Sequence, residues 1–375
     1  MAKRVILAVA GSGKTYHICH QIDPNKKNLI LAYTNENVKN IKRELHNAYG
    51  HIPELTTIST FDSFVYNNMI LPYEPSIGAH FGLSNFYSNG ISTKEPPNTT
   101  IKKNGKTVPN PKYIKKNEIG HYLTNKGYYY CSRLSKLILT VNKKQNPIIK
   151  RIAKRLDLFY DKILIDEFQD FREDNYDLII KLSKYINKNI ILVGDYYQHS
   201  VSAINNSGKP FKNKNLYITY DDFVKSLQKL GFEVDLTTLD KSRRCSPEIC
   251  NYITEKLDIN IISNGNNLGS VKWVNDNDVN RILEDQTITK LVFNNAKSYS
   301  FNALNWSYSK GDTFNSTCVI LTDKFENLSS PDFSKEGLSI ITLNKLYVAM
   351  TRSCGDLYLI KASAFKKVKK NYIVK

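Results

Sequence analysis

The sequence predicts an α/β fold in which parallel strands are covered by helices on both faces. Short apolar runs of strand length alternate with segments of helical pattern along the 375 residues, and the first run leads into a glycine-rich loop. This alternation is typical of parallel sheets, because parallel strands need a crossover connection that is usually a helix. The apolar runs cover residues 5–9, 29–32, 163–165, 190–193, 271–274, 291–293, 319–321 and 357–360.

Length and charge set further bounds. At roughly 100–200 residues per domain, the 375 residues predict two or three domains. The 53 Lys and Arg residues outnumber the 35 Asp and Glu residues by 18, which favours a polyanionic partner, nucleic acid before an anionic membrane surface. No apolar run approaches the roughly 18 residues of a membrane-spanning helix, so we expect no membrane protein. The cysteines form no Cys-x-x-Cys pair, which predicts a cytoplasmic protein, or one of the host cytoplasm if the source is viral.

The first apolar run ends in the segment AVAGSGKT, which has the pattern of a phosphate-binding loop. Gly11, Ser12 and Gly13 form the loop, and Lys14 and Thr15 open the following helix. Backbone N–H groups of such a loop surround a phosphate, the lysine adds positive charge, and the threonine hydroxyl can ligate Mg²⁺. An alanine stands where the pattern usually has its first glycine, so a chance glycine-rich turn is the alternative.

Acidic and amide side chains follow two later strands. The segment KILIDEFQD ends an apolar run in Asp166 and Glu167, and Gln198 follows the next run along the chain. In an open parallel sheet, ligands bind at the carboxyl ends of the strands. Asp166 can hold Mg²⁺, Glu167 can orient or deprotonate a water, and Gln198 can contact a terminal phosphate. Each residue alone could equally cap a helix.

Two polar stretches interrupt the alternation. Residues 73–126 are rich in Asn, Pro, Gly, Ser and Lys, and they predict an irregular basic insertion, at about 73–130, without sheet or core helix. Residues 205–215 form the second stretch, and we place a domain boundary there. The expected domains are therefore 1–205, which carries the insertion, and 216–375.

These motifs, taken with further blocks, resemble the UvrD/Rep/PcrA group of superfamily 1 helicases. The resemblance extends over most of the chain in the order that the family shows, and DEFQD and YVAMTR are its most specific segments. The blocks are AVAGSGKT, LILAYTNENVKNIKREL, ISTFDSF, DEFQD, VGDYYQ, LDKSRRC, SKGDTF and LYVAMTRS.

The resemblance implies two RecA-like P-loop NTPase domains with parallel sheets and the ATP site in the cleft between them. It implies an ATP-dependent DNA helicase or single-stranded DNA translocase of 3′-to-5′ polarity, in a compact form that lacks most accessory-domain sequence. ATP and Mg²⁺ are the implied cofactors. Single-stranded DNA is the implied partner, although these residues do not distinguish DNA from RNA.

The resemblance also assigns roles in hydrolysis. Lys14 binds phosphate, Thr15 and Asp166 bind Mg²⁺, Glu167 activates water and Gln198 senses the γ-phosphate. Gly11, Ser12 and Gly13 complete the nucleotide-binding loop.

Two arginines of the second half match residues that reach the γ-phosphate across the cleft. These are Arg244 and Arg352, whose guanidinium groups would stabilise charge on the transferring phosphoryl. In the family, an arginine and a tyrosine sandwich the adenine, and here Tyr16 and Arg243 stand at the two positions with their types exchanged. We hypothesise that they still form a cation–π sandwich. The alternative is a surface tyrosine and a phosphate-facing arginine.

Two blocks match segments that contact the nucleic acid in the family. Tyr33, Thr34 and Asn35 belong to the first, and Thr60 and Ser63 to the second. Stacking on an aromatic ring does not discriminate sequence, which suits movement along any strand. Tyr33 could equally be a core aromatic at the end of a strand.

The chain departs from the family after Gln198, where the residues that stack bases are missing. Tyr196, Tyr197 and His199 are the nearby candidates to replace them. The alternative function is therefore a DNA-stimulated ATPase subunit of a nuclease, repair or antiviral defence complex, which remodels or signals without processive unwinding. Such a subunit would have a nuclease or repair protein as partner.

Overall fold

The computed structural model describes residues 3–199, 208–213 and 216–374. Its strands are β1 (Lys3–Leu7), β2 (Asn28–Ala32), β3 (Thr56–Thr60), β4 (Ile91–Ser92), β5 (Thr100–Lys103), β6 (Lys106–Pro109), β7 (Tyr129–Tyr130), β8 (Lys162–Ile165), β9 (Asn189–Gly194), β10 (Lys212–Asn213), β11 (Leu216–Tyr217), β12 (Glu233–Asp235), β13 (Lys241–Ser242), β14 (Ile262–Ser263), β15 (Val271–Trp273), β16 (Thr289–Val292), β17 (Ala303–Asn305), β18 (Thr317–Ile320) and β19 (Leu357–Ile360).

The α-helices alternate with these strands. They are α1 (Lys14–His20), α2 (Asn35–Tyr49), α3 (Phe61–Phe64), α4 (Glu74–His80), α5 (Leu134–Val141), α6 (Ile148–Phe159), α7 (Asp174–Ser183), α8 (Tyr220–Lys229), α9 (Pro247–Leu257), α10 (Val279–Glu284), α11 (Ile340–Met350) and α12 (Ala362–Val368). A π-helix, Val65–Ile70, continues α3, and a 3₁₀ turn, Tyr196–Gln198, follows β9. Among the described helices, none combines the length and the hydropathy that a membrane crossing requires.

Two parallel sheets organise the chain. The first has six strands in the order β12-β1-β9-β8-β2-β3, and the second has five in the order β15-β19-β18-β16-β17. Each of the eight apolar runs found in the sequence overlaps one of these strands. The predicted α/β fold with parallel sheets is confirmed, and it is consistent with RecA-like P-loop NTPase domains.

Contacts divide the chain into two compact units. Unit 1 comprises Lys3, Ile18–Asp166 and Phe171–Ile191, and unit 2 comprises Arg4–His17, Glu167–Asp170 and the described residues of Leu192–Lys375. The phosphate loop and the segment after Asp166 therefore pack with the second half of the chain. Residues 205–207 and 214–215 of the expected boundary lie outside the described residues, and the domains 1–205 and 216–375 stay a prediction.

Unit 1 contains the central strand β2, which pairs in parallel with both β3 and β8. All five residues of β2 are buried, because a strand at the centre of a parallel sheet is covered on both faces. Ala32 lies opposite Thr60, and Leu31 lies opposite Ile165. The carboxyl ends of the three strands are thus level, and helix α2 begins three residues after the end of β2, whereas α3 begins directly after β3.

The basic insertion is more ordered than its composition predicts. Helix α4 occupies its start, with Glu74, Ile77 and Gly78 buried, and β5 and β6 form an antiparallel hairpin within it. The prediction of a segment without helix or sheet is wrong on both points. A Cβ at Gly78 would lie 2.7 Å from the Cβ of Phe86, so close packing holds α4 in place. Composition alone did not reveal this contact, because polar residues dominate the composition of residues 73–126.

Unit 2 is built around the five-stranded sheet and helix α11. The core contains Trp306, Leu346, Tyr347 and Met350, each fully buried, and Trp306 donates its indole N–H to the carbonyl of Leu291 at 3.0 Å. Ser339 caps the N-terminus of α11 by accepting from the amide of Thr342. Seven of the eleven residues of α11 are buried, so this helix is held on most of its circumference.

Candidate nucleotide-hydrolysis site

The phosphate loop joins β1 to α1, as the sequence predicts. Gly11 and Gly13 have φ angles of 72° and 87°, in the left-handed region that favours glycine. A Cβ at Gly11 would lie 2.6 Å from the Cβ of Arg244, and the amide of Arg243 donates to the carbonyl of Gly11 at 2.9 Å. Glycine is therefore needed twice, for the backbone turn and for the close approach of the arginine segment.

Polar groups of the loop fit a phosphate. The hydroxyl oxygen of Ser12 is buried and has no hydrogen-bond partner among residues 3–199, 208–213 and 216–374. Lys14 is nearly buried at the first residue of α1, where the helix end exposes unpaired N–H groups. A buried hydroxyl, a buried ammonium and a glycine cradle together match the donors that a nucleotide phosphate requires.

Glu167 lies between two lysines. Its carboxylate oxygens are 3.6 Å from Nζ of Lys14 and 3.5 Å from Nζ of Lys310. Burial alone would raise the pKa of Glu167, but the charges of Lys14 and Lys310 outweigh it and lower the pKa to about 2. The carboxylate is thus ionised in this arrangement, and it can orient a water molecule more readily than it can take a proton.

Sequence reasoning missed Lys310 as a residue of this site. Its ammonium group lies 2.6 and 2.7 Å from the two carboxylate oxygens of Asp170. Burial would lower the pKa of Lys310, but the charges of Asp170 and Glu167 raise it, so the lysine is charged. Its place in the SKGDTF block was the one available signal, since a lysine beside a glycine is otherwise common on surfaces.

The expected Mg²⁺ ligands have oxygen atoms of the kind that Mg²⁺ prefers. Asp166 is buried directly after β8, and its amide donates to the carbonyl of Leu31 at 2.9 Å within unit 1. Thr15 is the second residue of α1 in unit 2, and it is half-buried. Each residue suits the role, and their joint coordination of a metal stays a prediction.

A hydrogen-bond network connects Glu167 to the predicted sensor. The amide nitrogen of Gln169 donates to Glu167, and its amide oxygen accepts from the backbone N–H of Asp195 at 2.9 Å. The carboxylate of Asp195 accepts from Nε2 of Gln198 at 2.8 Å. Burial raises the pKa of Asp195 to about 6, although Lys14 and the amide of Gln198 act in the opposite direction. Sequence reasoning did not identify Gln169 or Asp195.

The two predicted arginine fingers donate to hydroxyl and carbonyl oxygen atoms. Arg244 donates to the hydroxyl of Thr313 and to the carbonyl of Thr351, at 2.7 and 3.1 Å. Arg352 is 1% exposed and donates to backbone carbonyls and to the Thr351 hydroxyl. Burial and the charge of Arg244 lower the pKa of Arg352 to about 9. Both guanidinium groups thus bond neutral oxygen atoms, while Asp312 and Asp195 attract Arg244 and Arg352, respectively, through their charge.

Tyr16 and Arg243 are in direct contact. The guanidinium carbon of Arg243 lies 5.3 Å from the centre of the Tyr16 ring, and both side chains are exposed. This is a cation–π pair beside the phosphate loop. A base could enter between the two only if they separate, whereas it could stack on an outer face without rearrangement.

Comparison with known protein families identifies a match over the first half of the chain. A family model described as an AAA domain, AAA_19, matches residues 2–203, more than half of the 375 residues. The chain belongs to this family. AAA_19 is a UvrD/Rep-like superfamily 1 helicase family.

Several solved helicases resemble the AAA_19 chain. The PRRSV helicase is 13% identical over 99% of this chain and 54% of its own, with a TM-score of 0.44. The arterivirus nonstructural protein 10 helicase is 12% identical over 96% of this chain and 59% of its own, also with a TM-score of 0.44. A complex structure of this helicase with DNA is 12% identical over 96% of this chain and 61% of its own, again with a TM-score of 0.44. The chain thus spans less than two thirds of their length, and no curated protein matches it.

The first predicted nucleic-acid segment of the AAA_19 chain follows β2. Tyr33 is half-buried and packs edge-on against Phe171, with ring centres 5.5 Å apart. Thr34 and Asn35 are exposed, and Thr34 caps α2 by accepting from the amide of Asn37 at 3.1 Å. Tyr33 is therefore neither a fully buried core residue nor a fully exposed platform.

The second segment follows β3 and has the same design. Thr60 caps α3 by accepting from the amide of Ser63, and its hydroxyl donates to the hydroxyl of Ser63 at 2.9 Å. Both side chains are half-buried. The two segments thus bring two helix N-termini to the same edge of the sheet, where backbone N–H groups can bind phosphate.

The expectation that aromatic residues near Gln198 replace the missing base-stacking residues is wrong for Tyr196 and His199. Both are buried in an aromatic cluster, in which the His199 ring stacks on Phe211 with centres 4.2 Å apart. Tyr197 is half-buried and stacks on Tyr220 at 5.6 Å. The rings fill the interior of unit 2 rather than offering a surface for bases.

Proposed function

We propose that this AAA_19 protein is an ATP-dependent motor that moves along single-stranded DNA and acts as a DNA helicase. Its polarity is 3′ to 5′ by resemblance to the UvrD/Rep/PcrA group, and its ATP site lies between two RecA-like domains. The observation that carries the proposal is the position of Glu167, whose carboxylate lies between Lys14 of the phosphate loop and Lys310.

Hydrolysis follows from the charges around Glu167. A nucleotide phosphate bound by Lys14 competes with Glu167 for the ammonium group, and the loss of that pairing raises the pKa of Glu167 from about 2 toward the range of a general base. Lys310 keeps the Glu167 carboxylate oriented, because its ammonium group pairs with both Glu167 and Asp170. Arg244 and Arg352 then stabilise negative charge on the transferring phosphoryl, because their guanidinium groups bond neutral oxygen atoms and keep their positive charge.

Mg²⁺, held by Thr15 and Asp166, would neutralise phosphate charge and fix its orientation. Every other step belongs to side chains of this chain. The cation–π pair of Tyr16 and Arg243 offers a flat face on which the base can stack.

Nucleic-acid binding is supported by the net charge of +18 and by the helix N-termini that Thr34 and Thr60 cap. Contacts of this kind recognise the phosphate backbone and not the sequence. In this proposal, Tyr33 provides stacking, and Asn35 and Ser63 add polar contacts to the strand.

A second candidate has one observation in its favour. Because Tyr196 and His199 are buried, the strand path near Gln198 has fewer aromatic rings than a processive helicase is expected to need. The protein would then be a DNA-stimulated ATPase subunit that works with a nuclease or repair partner and does not unwind processively.

The decisive experiment measures ATP hydrolysis without nucleic acid, with single-stranded DNA and with single-stranded RNA. We expect DNA to stimulate hydrolysis, and we expect Glu167→Gln, which keeps the shape of the side chain, to abolish the stimulated rate. An ATP hydrolysis rate that neither single-stranded DNA nor single-stranded RNA changes would overturn the motor proposal.

A tailed-duplex assay then separates the two candidates. Unwinding of a duplex with a 3′ tail, and not of one with a 5′ tail, supports a 3′-to-5′ helicase. Stimulated hydrolysis without unwinding of either duplex favours the ATPase subunit.

A further inference from the structure

Tyr347 makes contacts that sequence reasoning did not anticipate. It lies in the middle of α11 and is fully buried. Its hydroxyl oxygen accepts from the backbone N–H of Ala10 in the phosphate loop at 2.9 Å. The same hydroxyl donates to the carboxylate of Asp195, at 3.4 Å. One side chain thus bonds both the loop that binds phosphate and the residue that fixes Gln198.

The direction of these bonds follows from protonation. Burial and the nearby charge of Asp195 raise the pKa of Tyr347 well above its usual range, so the phenol keeps its proton. A backbone N–H can only donate, so the phenol oxygen must accept from Ala10 and use its proton toward Asp195. Phenylalanine would keep the ring and lose both bonds.

Asp195 transfers this constraint to Gln198. The carboxylate accepts from the Gln198 side chain at 2.8 Å and from the amide of Tyr197 at 2.9 Å. Since an ionised carboxylate can only accept, the NH₂ group of Gln198 faces Asp195 and its amide oxygen faces away. That oxygen is an acceptor, suited to orienting a water molecule beside the phosphate.

A second residue of α11 holds the other side of Gln198. Asn344, one turn before Tyr347, donates its side-chain amide to the carbonyl of His199 at 3.1 Å. The helix therefore forms hydrogen bonds with Asp195 and His199, on either side of Gln198. Helix α11 thus carries Asn344 and Tyr347, and Arg352 follows two residues after its end.

We propose that Tyr347 is a positioning residue that couples helix α11 to hydrolysis. Its hydroxyl sets the distance between the phosphate loop and the Asp195–Gln198 pair, so that a shift of α11 displaces Gln198. This inference rests on the proposed function, since it assumes that the site hydrolyses a nucleotide.

The test compares Tyr347→Phe with Tyr252→Phe. Tyr252 is a matched control, because it is a half-buried tyrosine of unit 2 whose hydroxyl donates to the carbonyl of Leu328, away from the phosphate loop. We expect Tyr347→Phe to lower kcat about tenfold, both without nucleic acid and with DNA, and to leave KM within about twofold. Tyr252→Phe should retain the kcat and KM of the unchanged protein. Thermal unfolding of both variants checks that they fold.

A double-mutant cycle distinguishes positioning from independent support of the fold. If Tyr347 acts through Asp195, the variant with Tyr347→Phe and Asp195→Asn should have a kcat close to that of Asp195→Asn alone. Multiplication of the two single losses would overturn the inference, as would an unchanged kcat in Tyr347→Phe.

The failure of the two proposals can be told apart. Hydrolysis by the unchanged protein that ignores nucleic acid contradicts the motor proposal, while the basal kcat of Tyr347→Phe still tests the inference. DNA-stimulated hydrolysis that Tyr347→Phe leaves intact contradicts the inference alone.

Discussion

The nucleotide site of unit 2 and the strand ends of unit 1 use polar side chains in opposite ways. In unit 2, the carboxylate of Glu167 pairs with both Lys14 and Lys310, and Lys310 also pairs with Asp170. In unit 1, Thr34 and Thr60 bond the backbone or side chains of their own helices. Mutual bonding between distant residues indicates selection for a site, whereas local bonding also has a purely structural explanation.

The comparison extends to charge. The lysines of the nucleotide site are matched by Glu167 and Asp170, but Arg244 and Arg352 face neutral oxygen atoms. Buried cations that lack a carboxylate are expensive unless an anion arrives. The arginines, bonded to neutral oxygen atoms, are therefore a stronger sign of phosphate chemistry than the lysines paired with carboxylates.

The largest effect should come from Arg244. We expect Arg244→Ala to lower kcat about 10³-fold, because a guanidinium group that stabilises a transferring phosphoryl is worth at least that much in related chemistry. Steady-state ATP hydrolysis measures it. Arg244→Lys, which keeps the charge and loses the planar fork, should recover only part of the rate. A loss of less than about tenfold would mean that Arg244 supports the fold and not the chemistry.

Lys310 should have the next largest effect. We expect Lys310→Met to lower kcat about 10²-fold, since a buried cation beside the reacting group is removed. Removal also raises the pKa of Glu167 from about 2, because one of its two cationic neighbours is lost. The carboxylate is then protonated at a higher pH, so the acid-side loss of kcat should begin at a higher pH than in the unchanged protein. The pH profile of kcat checks the direction. A profile identical to that of the unchanged protein would remove Lys310 from the site.

The cation–π pair should have a smaller effect, on affinity. We expect Tyr16→Ala and Arg243→Ala each to weaken nucleotide binding about fivefold, because contacts of this type are worth about 0.5–2 kcal/mol. Titration with a fluorescent ATP analogue measures this. Normal affinity in both variants would leave the two side chains as a surface contact only.

The smallest effect tests the caps of unit 1. We expect Thr34→Ala to lower the free energy of unfolding by about 1 kcal/mol, the usual value of a helix cap. Chemical denaturation measures it. If Thr34 only caps α2, the affinity for single-stranded DNA should fall less than about twofold. A much larger loss of affinity with normal stability would make Thr34 a direct contact, and the contrast between the two regions would weaken.

Local pattern was enough for most of the fold and for part of the candidate site. The apolar runs found the strands, because a buried parallel strand needs continuous apolar residues, as in β2. The phosphate loop and Glu167 were found because their spacing is itself a signal. Lys310, Asp195 and Tyr347 were not, because their partners are distant in sequence: 140 residues separate Lys310 from Asp170, and 152 separate Tyr347 from Asp195.

The aromatic residues near Gln198 show the opposite limit. Three aromatic residues close together in sequence predicted a stacking surface, but residue type alone does not show whether an aromatic ring contacts a base or another ring. Tyr196 packs with Phe211 and Phe223, and His199 packs with Phe211, partners that follow 12 to 27 residues later in the chain. Only three-dimensional packing distinguishes these uses.

Gly194, at the end of β9, has a place that no substrate explains. A Cβ there would lie 2.6 Å from the amide oxygen of Gln169 and 3.1 Å from its backbone nitrogen. Alanine at this position would push Gln169 away from Glu167 and Asp195. In a saturation screen for activity, Gly194 should therefore tolerate as little variation as Lys14 does, although it carries no side chain at all. The positions at which substitutions abolish activity should therefore extend beyond the residues that contact the nucleotide.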